Sequence, residues 1–360
     1  MSRFFIVASV ILWLMQVTVG AWLYFAFPQV GWKIPVVLAP AALTLAIRFS
    51  MEYTRTHWGA WEGWAYYLSY TWGGLVFLAF CICALCALVQ WALFFFHVNA
   101  RAWLGPVSVG LMALVSAMAI YGGASSPRVK RVAVPVPGAP KMKIALLSDS
   151  HLGLGVSLKR FDKAMNTLEA EKPDVLLVLG DVFEYGPHRR AYAERLAQAD
   201  IPLGVYGVFG NHEYYVGYEN SKQFFKDAGI TLLENETAEL PGGVQVAGVK
   251  DVRTARVSKK DVENLLAKTD KSRPLIYLSH TPLYAEEAAA SGGADLMFSG
   301  HTHNGQIFPF NYLVRLQFPR VYGLFDVDGM KFYITSGMFY WGVPLRFLAP
   351  AEIPVIEVNE

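Results

Sequence analysis

Cysteine is nearly missing from this 360-residue chain: there are three, Cys81, Cys83 and Cys86, all inside one apolar run. The rest of the chain can form no disulfide and offers no thiolate to a metal, which agrees with a reducing compartment. In an apolar helix the three read as packing residues rather than ligands. Strong charge of either sign is also lacking. The formal net charge is +2, which gives no footprint for nucleic acid. Charge is scarcest at the start: residues 1–120 hold seven of the 60 Lys, Arg, Asp and Glu residues. The same third holds nine of the ten tryptophans.

Long uncharged runs fill that third. A helix needs about 20 apolar residues to cross the hydrocarbon core of a bilayer. Residues 4–27, 73–97 and 102–122 carry no charge. Val30 to Phe49 is a weaker span containing Pro35 and Pro40, which neighbouring helices can accommodate. A re-entrant or interfacial segment is the alternative for it. The first run is too long for a signal-peptide core and is followed by further apolar segments, so it reads as a retained helix. About four spans in two hairpins are expected over residues 1–122. The connection "RTHWGAWEGWAYYLSYTW" is expected to lie at the headgroup level, where Trp and Tyr rings settle.

Orientation follows from Lys and Arg in short loops. With four spans, Arg3, Arg48, Arg55, Arg128, Lys130 and Arg131 share one side, and Lys33 and Arg101 the other. Six against two favours a cytoplasmic C-terminal domain on an integral protein of the cell membrane. A second span that does not cross would reverse this.

"GGASSPRVKRVAVPVPGAPK" breaks the last helix, and residues 123–141 read as a linker with a first, edge-type strand at "RVAVPV". From 142 to 360, short apolar runs alternate with amphipathic stretches. Strands are expected at 143–148, 175–180, 203–210, 244–249, 275–279, 295–299 and 331–336, with helices near 157–171, 188–199 and 219–228. This alternation argues for an α/β domain. The fold class is thus an N-terminal all-α transmembrane region of about four helices plus a C-terminal α/β domain.

Five apolar runs end in polar residues of one kind. "SDSH" supplies Asp149 and His151, "GD" Asp181, "GNHE" Asn211, His212 and Glu213, "SH" His280, and "GHTH" His301 and His303. Ligands of open α/β sheets bind beyond the carboxyl ends of strands. One such Asp is commonly a turn residue; five successive runs ending this way point to a site. Asp149, His151, Asp181, Asn211, His280, His301 and His303 are candidate metal ligands. Mixed imidazole and carboxylate donors suit Mn, Fe or Zn. Seven donors exceed one tetrahedral ion and suit two ions bridged by Asp181. Such a pair clamps the oxygens of an in-line displacement and yields a hydroxide nucleophile near neutral pH.

The ordered blocks "DSH", "GD", "GNHE", "SH" and "GHTH" resemble the calcineurin-like metallophosphoesterases over roughly residues 128–360. "GHTHNGQ" and the tail "YITSGMFYWGVPLRFLAPAEIPVIEV" resemble the YkuE-type branch, which includes LpxG-type hydrolases and membrane-anchored members. The resemblance implies a β-sandwich of two sheets flanked by helices. It implies one metal on Asp149, His151, Asp181 and His303, and a second on Asp181, Asn211, His280 and His301. It implies that His212 binds no metal but faces the phosphate, protonating the leaving oxygen or stabilising the transition-state charge. Ser150, Glu213 and Asn304 stand where the family more often has Leu, Asp and Gly; none of these removes a ligand.

Residues 307–325 are apolar and aromatic. Arg315 and Arg320 there are candidate bidentate phosphate contacts, and the apolar residues are candidates to meet a bilayer or an acyl chain. A loop and strand pair packed on the core is the alternative. "PHRR" at 187–190 reads as a solvated helix start before a phosphate contact. The expected activity is that of a membrane-anchored phosphoesterase with two divalent or trivalent metal ions, acting on a phosphorylated, lipid-linked substrate. The alternatives are a broad phosphomonoesterase or phosphodiesterase that is merely anchored, and a catalytically silent scaffold.

Overall fold

The computed structural model describes residues 3–29, 35–54 and 56–359. The chain divides into two compact units: Met1–Ala124 with Gly342–Phe347, and Ser125–Trp341 with Leu348–Glu360.

The first unit holds four helices: α1 (Arg3–Ala26), α2 (Pro35–Tyr53), α3 (Ala60–Phe94) and α4 (Arg101–Ala124). Among the described residues, Ile6–Ala26, Ala60–Phe94 and Arg101–Ala124 are long and apolar enough to cross a membrane. The span expected from Val30 begins in residues 30–34, which lie outside the described residues, as do Lys33 and Arg55 of the charge count. One expectation needs correcting. The aromatic connection is not a loop over most of its length, because α3 already begins at Ala60. That stretch has no proline, and Gly63 alone cannot end a helix flanked by apolar neighbours.

Side-chain hydrogen bonds tie these helices together, as they do between apolar helices generally. Trp22 Nε1 donates to Ser108 Oγ at 2.9 Å, and Gln16 Nε2 donates to Thr44 Oγ1 at 2.6 Å. Cys83 and Cys86 are buried with Trp22 and Ala26, in the packing role their setting predicts. Residues 342–347 join this unit through Arg346 N–H, which donates to the Ala119 carbonyl at 3.0 Å. A Cβ on Gly123 would fall 2.1 Å from the Pro344 oxygen, so that approach needs glycine.

The second unit is built on two six-stranded sheets. Its strands are β1 (Arg128–Val134), β2 (Met142–Leu147), β3 (Val175–Val178), β4 (Val205–Gly207), β5 (Thr231–Leu232), β6 (Glu236–Glu239), β7 (Gln245–Gly248), β8 (Leu275–Leu278), β9 (Leu296–Ser299), β10 (Gly323–Val327), β11 (Met330–Ile334) and β12 (Glu352–Val358). The first sheet runs β1-β12-β2-β3-β4-β5 and the second β10-β11-β9-β8-β7-β6. The strands β2 to β5 are parallel, as are β7, β8, β9 and β11. β1 is an edge strand, as "RVAVPV" suggests. Crossover helices are α5 (Leu158–Glu169), α6 (Arg189–Ala197), α7 (Asn211–Val216), α8 (Tyr218–Asp227), α9 (Lys259–Leu266), α10 (Ala285–Gly292) and α11 (Phe310–Arg315).

Alternation along the strands sends side chains to two faces. Ile144, Leu146, Val175 and Leu177 of the first sheet meet Val246, Ile276, Leu278 and Phe298 of the second in a shared core. Ala145, Leu147, Leu176 and Val178 face the other way, onto Phe161, Tyr192 and Phe224 of α5, α6 and α8. Across the second sheet, Ala247, Tyr277 and Met297 pack on Val262, Leu266 and Ala288 of α9 and α10. The result is a sandwich of two sheets with helices on both outer faces, as the resemblance implied. "PHRR" opens α6: Arg190 is exposed and pairs with Glu194, the solvated helix start.

Candidate metal centre

The parallel strands of both sheets end side by side. Asp149 follows β2, Asp181 follows β3, Asn211 opens α7 after β4, His280 follows β8, and His301 follows β9. At these ends the chain turns through left-handed backbone. Asp149, His151, Asp181, His301 and His303 all have φ between 40° and 68°. Non-glycine residues rarely hold such angles, and clusters of them mark sites where geometry is imposed by the surroundings. The surroundings here are cross-loop hydrogen bonds: Asp149 N–H to Gly180 O at 3.1 Å, His151 N–H to Asp181 O at 3.1 Å, and Gly300 N–H to His280 O at 3.0 Å.

Two triads result, and within each the donor atoms lie within 4.8 Å of one another: Asp149, His151 and His303, and Asp181, His280 and His301. His151 Nε2 faces His303 Nε2 at 3.1 Å, and His280 Nε2 faces His301 Nδ1 at 3.2 Å. Asp181 Oδ2 lies 3.2 Å from His280 Nε2 and 3.9 Å from His151 Nε2, so it reaches towards both triads. His212, the next residue after Asn211, joins a third group with His151 and Asp181. Its N–H donates to Asp181 Oδ1 at 2.9 Å.

The donor set fits cations. Asn211 Oδ1 is buried and has no hydrogen-bond partner among the described residues. A Cβ on Gly210 would fall 2.2 Å from Asp181 Oδ1, and one on Gly300 would fall 2.3 Å from Asp149 Oδ2. The two glycines therefore keep the cradle open. His280 Nδ1 lies 2.7 Å from the Leu179 carbonyl, which fixes the ring and turns Nε2 towards Asp181.

The charges agree. Burial acts to raise Asp181 and Asp149, yet the surrounding imidazoles outweigh it and hold both carboxyls low. Burial acts to lower His280, but Asp181 and Asp149 raise it to about 10. His212 follows the same logic and rises to about 9 under Asp181 and Glu184. His301 goes the other way, to about 4, through burial and the neighbouring His280. The cluster demands positive charge at its centre, and divalent ions among neutral imidazoles would supply it.

Residues 142–305 match the calcineurin-like phosphoesterase family model. A metallophosphoesterase of Aquifex aeolicus is 33% identical over 241 residues, which cover 64% of this chain and 92% of that protein. The chain belongs to the calcineurin-like metallophosphoesterases. It is similar to YkuE of Bacillus subtilis, at 29% identity over 62% of this chain and 80% of that one. It is also similar to a zebrafish transmembrane protein with a metallophosphoesterase domain, at 32% identity over 69% of this chain and 61% of that one. The chain spans 65% of the length of its Helicobacter pylori relatives. The family uses a dimetal centre, and the apolar helices mark this member as a membrane protein.

Two residues that support the cluster are not among the candidate ligands, and only Glu213 lies in one of the blocks. Glu184 places Oε1 2.8 Å from His151 Nδ1 and 2.5 Å from His212 Nδ1. Burial acts to raise its carboxyl, but His212 and His151 outweigh this and lower it to about 2. Its only sequence signal is its place three residues after Asp181. Glu213, noted only as a departure from Asp, is fully buried and accepts from the N–H groups of Gly210 at 2.7 Å, Asp181 at 2.9 Å and Val182 at 2.7 Å. It staples the "GNHE" turn to the "GD" turn.

The two candidate phosphate contacts have partners outside the cluster. Arg320 pairs with Glu286 at 2.8 Å. The Arg315 guanidinium lies 5.9 Å from the Tyr312 ring.

Proposed function

We propose that this chain is a membrane-anchored dimetal phosphoesterase that hydrolyses a phosphate ester or pyrophosphate bond of a lipid-linked substrate, on the cytoplasmic face of the cell membrane. One observation carries the reading: two histidine–carboxylate triads meet at Asp181, which belongs to one and reaches towards the other, with His212 beside them. Asp149, His151, Asp181 and His303 would hold one ion, and Asp181, Asn211, His280 and His301 the other. Two ions of the Mn, Fe or Zn type, when bound, polarise the phosphoryl oxygens and activate water for attack.

The chain's own residues do the rest. The glycines leave room for the phosphate to approach. The Asp181 and Glu184 carboxylates beside His212 favour its charged form, and His212 keeps a proton to give to the leaving oxygen. The lipid part is supported by the apolar helices, which keep the domain where an amphiphile is concentrated. Six basic residues against two support the cytoplasmic side with α2 crossing as a fourth span; without that crossing the same count points to the opposite side.

The test is to purify the full chain in detergent, measure bound metal by elemental analysis, and assay bis-p-nitrophenyl phosphate with added Mn²⁺ beside Asp181→Asn. About two ions per chain, with hydrolysis lost in the variant, is the expected result for a dimetal site. A folded protein with neither metal nor hydrolysis overturns it.

A further inference from the structure

The catalytic unit wears its exposed apolar side chains around its site. Tyr185 follows Asp181 by four residues, Tyr215 follows His212 by three, and both are exposed. Trp341, also exposed, brings its ring to 5.9 Å from the His212 ring. Gln306, three residues after His303, holds Trp341 through both main-chain groups, at 2.9 and 3.2 Å. The longest stretch of this collar is α11. Phe310 is 44% exposed, Leu313 53% and Leu316 81%. None of the residues of α11 is buried. In contrast, α5, α6, α8 and α9 each bury an apolar face. A short helix that buries no residue fully in its own domain and shows large apolar groups to the outside marks an interaction surface.

We propose that α11 and this collar dock on the phospholipid bilayer, so that the metal centre draws phosphate groups from the headgroup layer. The inference deepens the proposed function and rests on it for the identity of the site. Three features select the bilayer as the occupant. First, helices of the same chain are apolar enough to span a membrane, which keeps a bilayer within reach of every molecule. Second, the exposed groups are Trp, Tyr, Phe and Leu, the side chains of interfacial helices. Third, residues 304–325 contain no Asp or Glu, and Arg315 among them, unlike Arg320 with its Glu286 partner, is a cation suited to anionic headgroups.

The link from this surface to the site is stiff. A Cβ on Gly305 would fall 2.4 Å from the backbone of Asn311, so the turn carrying His303 lies directly against α11. Docking α11 therefore fixes the depth of the cluster below the headgroups. Arg315, beside the Tyr312 ring, is placed to meet a headgroup phosphate as α11 settles.

The test uses the full chain in phosphatidylglycerol-containing vesicles, with Cys81, Cys83 and Cys86 replaced by Ser. Nitroxide labels go onto Leu313→Cys, Leu316→Cys and, as a control, Lys226→Cys, an exposed position on α8. Collision of each label with oxygen is compared with collision with a water-soluble nickel chelate. Expected is oxygen preference at 313 and 316, with chelate preference at 226. Chelate preference at 313 and 316 overturns the proposal. So does spin–spin broadening between chains, which would assign the surface to a second copy. Bis-p-nitrophenyl phosphate hydrolysis by the labelled proteins in detergent reports separately on the chemistry. Hydrolysis with water-exposed labels sinks the docking surface alone. Lipid-embedded labels without hydrolysis leave docking in place and sink the catalytic reading.

Discussion

The carboxylate of Glu184 stands 2.5 Å from Nδ1 of His212, and the same oxygen stands 2.8 Å from Nδ1 of His151. One carboxylate oxygen thus hydrogen-bonds a candidate metal ligand and lies at ion-pair distance from the assigned proton donor. Glu184→Gln separates the roles. Loss of an outer partner of a ligating histidine typically weakens metal binding about 10- to 100-fold. The Mn²⁺ concentration for half-maximal hydrolysis is expected to rise about tenfold on that account. At saturating Mn²⁺ a further drop in kcat of at least about tenfold is expected because the neutral amide removes the charge that favours protonated His212. If saturating metal restores kcat in full, Glu184 acts through His151 alone.

Glu213 is a structural counterpart. Its two oxygens satisfy three main-chain N–H groups at the centre of the site. In Glu213→Ala these donors are left buried, each costing about 1–3 kcal/mol. A loss of roughly 3 kcal/mol, or about 10 °C in Tm for a domain of this size, is expected in thermal unfolding. Glu213→Asp, one methylene shorter, should fall less. An unchanged Tm in the alanine variant would mean that water replaces the carboxylate.

Gly300 tests the cradle by volume alone. A Cβ there would sit 2.0 Å from Ser148 Oγ and 2.3 Å from Asp149 Oδ2, and Ser148 Oγ itself holds Asp149 Oδ2 at 2.5 Å. Nothing in that group can yield without moving Asp149. Gly300→Ala is expected to lower hydrolysis about 100-fold or more and to shed metal, because a misplacement of about 1 Å at a reacting centre has effects of that size. Gly63→Ala, on α3 with open space around it, is the matched control and should leave both unchanged. Full metal content in Gly300→Ala would show that the loop carrying it relaxes.

The site was legible where the fold is local. An apolar run that ends in Asp, Asn or His is visible in the chain, and the ends of β2, β3, β8 and β9 could be read one by one. Partnership across the chain was not. β12 escaped because it is apolar almost throughout and carries Pro354, which argues against a central strand. The structure resolves this: β12 pairs with β2 only from Val355 onward, so the proline lies outside that ladder. The residues α3 shares with the aromatic connection read as a loop because Trp and Tyr mark no helix start by themselves. Glu184 was invisible because its function depends on His151 and His212, which reach it from other loops. Arg315 and Arg320 were candidates by residue type alone, and local sequence does not reveal that Glu286 pairs with Arg320.

Removing the metal should expose the charge balance that the cluster leaves to cations. In chelator-treated protein, His280 at about 10 and His212 at about 9 lie above the value of about 6.5 expected on unfolding. A base raised in the folded state contributes stability that is whole below the unfolded value and is lost as pH rises through the folded one. Both histidines therefore weaken the stripped protein between about pH 6.5 and 10. His301, lowered to about 4, has the opposite sign and costs stability as pH falls below about 6.5. Tm of the stripped protein, measured from about pH 5 to 10, is expected to peak near 6.5 and fall on the alkaline side. With Mn²⁺ restored the His280 share of the alkaline fall should vanish and the His212 share remain, because an ion replaces the proton on His280 and binds more tightly as pH rises. Parallel curves with and without Mn²⁺ would mean that His280 does not face a metal site.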